Sequence, residues 1–163
     1  MGATLYQSNH RPVPIEEYLV YDNAIYPAVN SKAFFETASK LSTAELQNAV
    51  SPHRLIAPSP FRELSNPANN SMVSLAVETA MAGYGALVFC SSRQACQSNA
   101  MLISAAMPDP SQVEPDILEK RLDVLAELES LPCGLDPVLQ NTIIKGVAFH
   151  RESAGSFLGS RRR

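Results

Sequence analysis

The sequence predicts an α/β fold, a parallel sheet flanked by helices. Two short apolar runs, residues 86–90 and 146–150, have strand length and little polar character on either face, as buried parallel strands do. Helical patterns precede and separate them, giving the order helix, strand, helix, helix, strand. The 163 residues are 45% hydrophobic and 18% charged, a composition that supports a globular core. No apolar stretch reaches the roughly 18–20 residues of a membrane span, and the first residues have no signal-peptide core.

Residues 1–30 read as an entry segment with a first strand. Pro12 and Pro14 hold the chain extended, and the β-branched and aromatic residues from Ile15 to Tyr21 suggest the strand. Residues 31–70 read as a loop-rich insertion, interrupted by Pro52, Pro58, Pro60 and Pro67, with one short helix expected over 43–50.

Residues 71–150 carry the clearest signals. Asn70 or Ser71 is suited to cap a helix over 72–82, and Gly83 to end it in the left-handed conformation. After the run 86–90, Ser91 and Ser92 offer caps for a second helix. Its apolar positions are Cys96, Ala100, Ile103 and Met107, and Pro108 and Pro110 stop it. A third helix is expected over 115–131 on the stripe Leu118, Leu122, Leu125 and Leu128, broken by Pro132 and Gly134. A short helix over 136–142 leads into the run 146–150. Residues 151–163, rich in Ser, Gly and Arg, read as a disordered tail.

Charge narrows the function classes. The net charge is −3, and residues 1–150 hold nine positive against fifteen negative side chains. Any nucleic-acid contact must be local, because no global basic field exists. Cys90, Cys96 and Cys133 form no CxxC pair and do not cluster in sequence with His10, His53 or His150, so they read as free thiols in a reducing compartment.

The junction at Ser91, Ser92 and Arg93 is the most informative place. Strand carboxyl ends in open α/β sheets are where ligands bind, and a helix N-terminus there offers N–H groups to anions. Two hydroxyls and a guanidinium suit a phosphate. The competing reading is an ordinary helix cap beside a surface arginine. A thiol phosphatase would need arginine six residues after its cysteine, but Cys96 stands six after Cys90. A small α/β enzyme built on Cys90 and His150 lacks that clamp. A phosphate loop of the Gly-x4-Gly-Lys-Ser/Thr type and an acidic Asp-Glu-x-His strand are both missing, so no self-contained ATPase is encoded. Glu127 and Glu129 lie on a solvated helix face.

Residues 85–93, Gly-Ala-Leu-Val-Phe-Cys-Ser-Ser-Arg, resemble motif IV in the second RecA-like domain of superfamily-2 DNA helicases of the polymerase-theta type. Residues 9–18 resemble the segment by which the chain enters that domain. Residues 128–139 with 146–150 resemble the run into the family's His-His-Ala-Gly-Leu motif. After His150, however, the chain continues Arg-Glu-Ser-Ala instead.

The resemblance implies a partial RecA-like domain. It implies single-stranded DNA backbone contacts at Ser91, Ser92 and Arg93, with His150 on the same track, and no catalytic residue in this chain. In the intact family it implies ATP and Mg²⁺, a first RecA-like domain as partner, DNA repair as the setting and a nuclear location. Motifs V and VI have no counterpart, so the chain reads as the opening part of such a domain. The alternative is a short, non-enzymatic interaction module that binds a helicase partner or DNA.

Overall fold

Asp22 and Asn23 both take positive φ, 46° and 58°, and so close a two-residue hairpin whose twist matches its strands. The computed structural model describes residues 13–28, 31–42, 51–132 and 134–150, and the chain divides into two units, Met1–Ala57 and Pro58–Arg163. In the first unit the hairpin pairs β1 (Tyr18–Tyr21) antiparallel with β2 (Ala24–Pro27), with Tyr21 opposite Ala24. The short β3 (Arg54–Leu55) adds on the other side of β2, giving the order β1-β2-β3. Backbone bonds from Ala28 N–H to Glu17 C=O (2.9 Å) and from Ile56 N–H to Asn23 C=O (2.7 Å) extend the pairing.

The centre of this unit is Ala24 and Tyr26, with Leu19 packed against them. Tyr18 stacks at a tilt on His53, ring centroids 5.5 Å apart. A helix, α1 (Ser31–Ser42), follows the sheet and packs against β1. It occupies part of the stretch expected to be loop. The helix expected over 43–50 lies outside the described residues, as does the expected tail.

In the second unit α2 (Pro67–Met81) is capped four residues before Asn70, the first of its expected caps. Asn66 is the cap, its side chain accepting from Ala68 N–H at 2.8 Å, with Pro67 at the first helical position. Asn70 and Ser71 are therefore interior residues, and both are buried. The Asn70 side chain accepts from Ser59 N–H at 3.2 Å and ties the incoming chain to the helix. Gly83, at φ 84°, ends the helix in the left-handed conformation as its sequence position predicts.

The helix α3 (Arg93–Ala106) buries Ala100 and Ile103 and half-buries Cys96 and Met107, the stripe read from its spacing. Val73, Ala76 and Ile103 form the cluster between α2 and α3; Val73 is 2% exposed. Beyond the 3-10 turn Pro110–Gln112 come α4 (Pro115–Glu129) and α5 (Pro137–Ile143). The α4 stripe is only partly covered: Leu118, Leu125 and Leu128 are half-buried and Leu122 is exposed. Asp136 caps α5, accepting from Val138 N–H at 2.8 Å. At its far end the Arg121 guanidinium donates to Ile144 C=O at 3.2 Å. Gly146 sits under that guanidinium at φ 82°, and a Cβ there would fall 2.7 Å from Arg121 Nη2.

The expected parallel sheet is not what forms. Residues 85–90 and 147–150 carry no regular secondary structure and Gly146 lies in a turn, so among the described residues the sheet is the antiparallel one of the first unit. The helices around the two runs form as expected. A strand has no hydrogen bonds of its own, so an apolar run enters a sheet only where a second strand lies about 4.8 Å away. Val88 and Val147 still pack on the α2–α3 cluster, whereas Leu87 and Phe89 are 80% and 89% exposed. The two runs line a common groove of about 670 Å³ whose other walls are α2 and α3.

Candidate nucleic-acid interface

The run 85–90 delivers the chain to Ser92, whose extended backbone (φ −153°, ψ 162°) makes it the cap of α3. Its Oγ accepts from Ala95 N–H at 3.1 Å, and its carbonyl accepts from Cys96 N–H at 3.0 Å. The hydroxyl proton of Ser92 stays available to a further acceptor. Ser91 precedes it on an exposed bend.

Arg93 is the first helical residue and is exposed. A guanidinium at a helix N-terminus lies against the positive end of the macrodipole, and the first turn of α3 contains no acidic residue to offset it. Among the described residues the Arg93 guanidinium makes no hydrogen bond or ion pair. An anion placed here would meet a free guanidinium, a serine O–H and unpaired N–H groups of one helix end.

His150 ends the second apolar run, exposed and with no hydrogen-bond partner among the described residues. It lines the groove that Cys90 also lines, so the groove joins the ends of the two runs. Ser91, Ser92 and Arg93 are not part of that lining, although Ser91 directly follows Cys90. The groove wall carries no carboxylate, ammonium or guanidinium. It is an apolar trough, and the charge for phosphate contact stands outside it.

Asn99 belongs to this site and the sequence reading passed over it. Its Nδ2 donates to Cys90 Sγ at 3.4 Å, fixing the end of the run against α3. Its place one helical turn after Cys96 was the available signal. Arg121 is a second such residue, since it sets where the run 146–150 begins. Neither pointed to a site in sequence, because each acts on an element distant along the chain. Among the described residues no three His, Cys, Asp or Glu side chains converge as metal ligands, and no helix is long and apolar enough to cross a membrane.

No protein-family model matches the chain. It is 30% identical over 162 residues to DNA polymerase theta of Mus musculus and 29% identical over 157 residues to Helicase POLQ-like of Homo sapiens. DNA polymerase theta of Drosophila melanogaster is 25% identical over 160 residues. The chain is a relative of these proteins. The alignments cover 92%, 96% and 92% of it, so they run through both units and the α3 junction.

The chain spans 6% of the mouse polymerase theta and 13% of the human POLQ-like helicase. A segment shared by a protein named as a polymerase and one named as a helicase fits the helicase part of both. The resemblance read from residues 9–18, 85–93 and 128–150 thus agrees with similarity along nearly the whole chain.

Proposed function

We propose that this chain is a piece of an ATP-dependent DNA-repair helicase of the polymerase-theta type, and that it supplies single-stranded DNA backbone contacts without catalysis of its own. The observation that carries the reading is the α3 N-terminus, where Arg93 stands unpaired beside the Ser92 cap in a chain similar to these relatives over nearly its whole length. Ser91 and Ser92 donate hydroxyls to phosphate, Arg93 supplies charge, and His150 lies further along the same track. None of these groups reads a base edge, so the contacts are independent of sequence.

In this reading residues 85–90 and 146–150 take strand positions in a RecA-like parallel sheet, with a first RecA-like domain as neighbour. ATP and Mg²⁺ act in other parts of the longer protein. Phosphoryl transfer needs a phosphate cradle, a metal-holding acid and an arginine finger together, and the sequence lacks the first two. The setting is the nucleus.

Fluorescence anisotropy with labelled single-stranded DNA tests this. One or two charged contacts give weak binding with a logarithmic salt slope of roughly −0.7 to −1.4, and Arg93→Ala should reduce its magnitude by about 0.7. Both proteins carry glutamine at Arg161, Arg162 and Arg163, so that the terminal arginines do not contribute. Unchanged affinity and slope in Arg93→Ala would remove the assigned contacts. ATP hydrolysis above background by the 163-residue chain would overturn the absence of catalysis.

A second reading, a non-enzymatic interaction module, is favoured by one observation. Leu87 and Phe89 stand in solvent on a segment with no paired neighbour strand.

A further inference from the structure

The chain contains two Ser-Pro dipeptides, Ser51-Pro52 and Ser59-Pro60, and in both an arginine stands three residues after the serine, at Arg54 and Arg62. With 12 prolines and 13 lysines and arginines among 163 residues, this pattern is expected by chance less than once. In the first unit Ser51, Pro52, His53 and Arg54 are all exposed, and Ser51 and Pro52 precede β3. His53 N–H is tied to Ile25 C=O at 2.7 Å, so Arg54 is presented from the start of a fixed strand. In the second unit Pro60, Phe61 and Arg62 are exposed, and Phe61 is extended (φ −78°, ψ 132°). Ser59 is half-buried. Its N–H donates to Asn70 Oδ1 and its Oγ accepts from Phe61 N–H, both at 3.2 Å.

A turn uses Ser-Pro for its backbone angles but has no need of an arginine at a fixed distance. A protein kinase has a use for both. Proline lacks an N–H, so a pocket with no acceptor takes proline at the position after the serine and leaves any other residue's N–H unsatisfied. Proline also biases the serine before it away from helical backbone, the conformation that would hide its hydroxyl in a turn of helix. The guanidinium offers an acidic pocket two parallel hydrogen bonds and fixes the register of the segment. The Ser59 Oγ accepts in its bond to Phe61, so its proton is left for a base.

We propose that Ser51 and Ser59 are phosphoacceptor sites for a proline-directed protein kinase that requires a basic side chain three residues on. The serine Oγ bonds to the γ-phosphorus of MgATP as the bond to the bridging oxygen breaks; ADP leaves, and the serine proton passes to the kinase's catalytic aspartate. Each ester adds about −1.5 to −2 charge at neutral pH, within three residues of an arginine that pairs with phosphate. Ser51 reacts first, because it is exposed and lies outside the ladder. Ser59 must release Asn70 before a kinase takes up its main chain. This goes beyond the DNA reading, and neither depends on the other.

The test incubates the 163-residue chain with MgATP and a purified proline-directed kinase chosen for its turnover of a Ser-Pro-Ala-Arg peptide. Tandem mass spectrometry locates the phosphates and gives the initial rate at each serine. The expected result is phosphate on Ser51 and Ser59, with Ser51 faster by at least about threefold. Pro52→Ala should slow Ser51, and Pro60→Ala should slow Ser59, by at least about tenfold. Arg54→Ala and Arg62→Ala should each slow the serine of its own segment about fivefold, and lysine at the same position should restore most of the rate. In every variant the serine of the other segment is the control for kinase activity and for folding. Absence of phosphate from either serine overturns the proposal for that serine. Rates indifferent to the proline and arginine substitutions, or phosphate spread over serines that no proline follows, would overturn it for both.

Discussion

The hairpin of β1 and β2 and the run 85–90 are both β-prone, and only the first became a sheet. In the hairpin the partner strand is four residues long and two residues away, and Asp22 and Asn23 supply the two positive φ values that a tight turn requires. The run 85–90 has α2 on one side in sequence and α3 on the other, and the run 146–150, which shares its groove, does not pair with it. Both segments bury one face: Ala24 and Tyr26 with Leu19 in the hairpin, Val88 against Val73, Ala76 and Ile103 in the run. Side-chain burial alone therefore holds a segment against its neighbours but does not make a ladder.

The platform beneath the run is the most sensitive point. Val73→Ala removes a fully buried side chain and leaves a cavity under Val88 and Val147, and should cost about 2–3 kcal/mol of the stability of residues 58–150. Chemical denaturation followed by a probe in that unit measures it. A loss well below 1 kcal/mol would mean that the two runs do not depend on the cluster.

The hairpin should fail at its turn. Asn23→Val places a β-branched residue at φ 58° and should cost about 1–2 kcal/mol in the first unit. The readout is loss of amide protection at Tyr26 and Ala28. An unchanged hairpin would show that pairing with β3, not the turn, sets the register.

Acid and alkali should separate the two regions by a smaller margin. Asp109 accepts from Ser111 N–H (3.1 Å) and Ser111 O–H (2.8 Å), with Lys145 Nζ at 3.6 Å, and these hold its carboxyl below the usual carboxylate range. A lowered native pKa means stability that is present at neutral pH and lost as pH falls through the native value. Lys145 immediately precedes the run 146–150, so its start should loosen first in acid. Tyr18 donates to the Glu16 carboxylate at 2.9 Å, and that hydrogen bond and the nearby negative charge raise its pKa. Its contribution is present at neutral pH and is lost as pH rises through the raised value. Exchange rates against pH should show the acid effect at residues 145–147 and the alkaline effect at β1; the reverse would break the assignment.

The local signals that the sequence carried were those written within a turn or two of chain. Gly83, Pro108 and the spacing of Cys96, Ala100, Ile103 and Met107 marked where α2 and α3 end and which face of α3 is buried. Ser92 was one of the two caps read for α3. The cap of α2 was misplaced because Asn66 and Asn70 carry the same side chain, and Pro67 suits a helix start only when Asn66 caps it. The hairpin turn at Asp22 and Asn23 was readable and was passed over. At the candidate interface the sequence supplied Ser91, Ser92, Arg93 and His150 as residue types. It did not supply Asn99 and Arg121, whose hydrogen bonds run to Cys90 and Ile144, nine and 23 residues away.

By itself the sequence determined the helices of residues 58–150 and the likeness to a helicase family. Caps, periodicity and motif order are properties of neighbouring residues, and they survive whatever the rest of the chain does. Tertiary structure alone decided that the sheet is antiparallel and lies at residues 18–55, that Val88 and Val147 share one cluster, and that Leu87 and Phe89 face solvent. Strand pairing joins groups that the chain must first bring together, and where no second strand arrives, even a strongly β-prone run remains single.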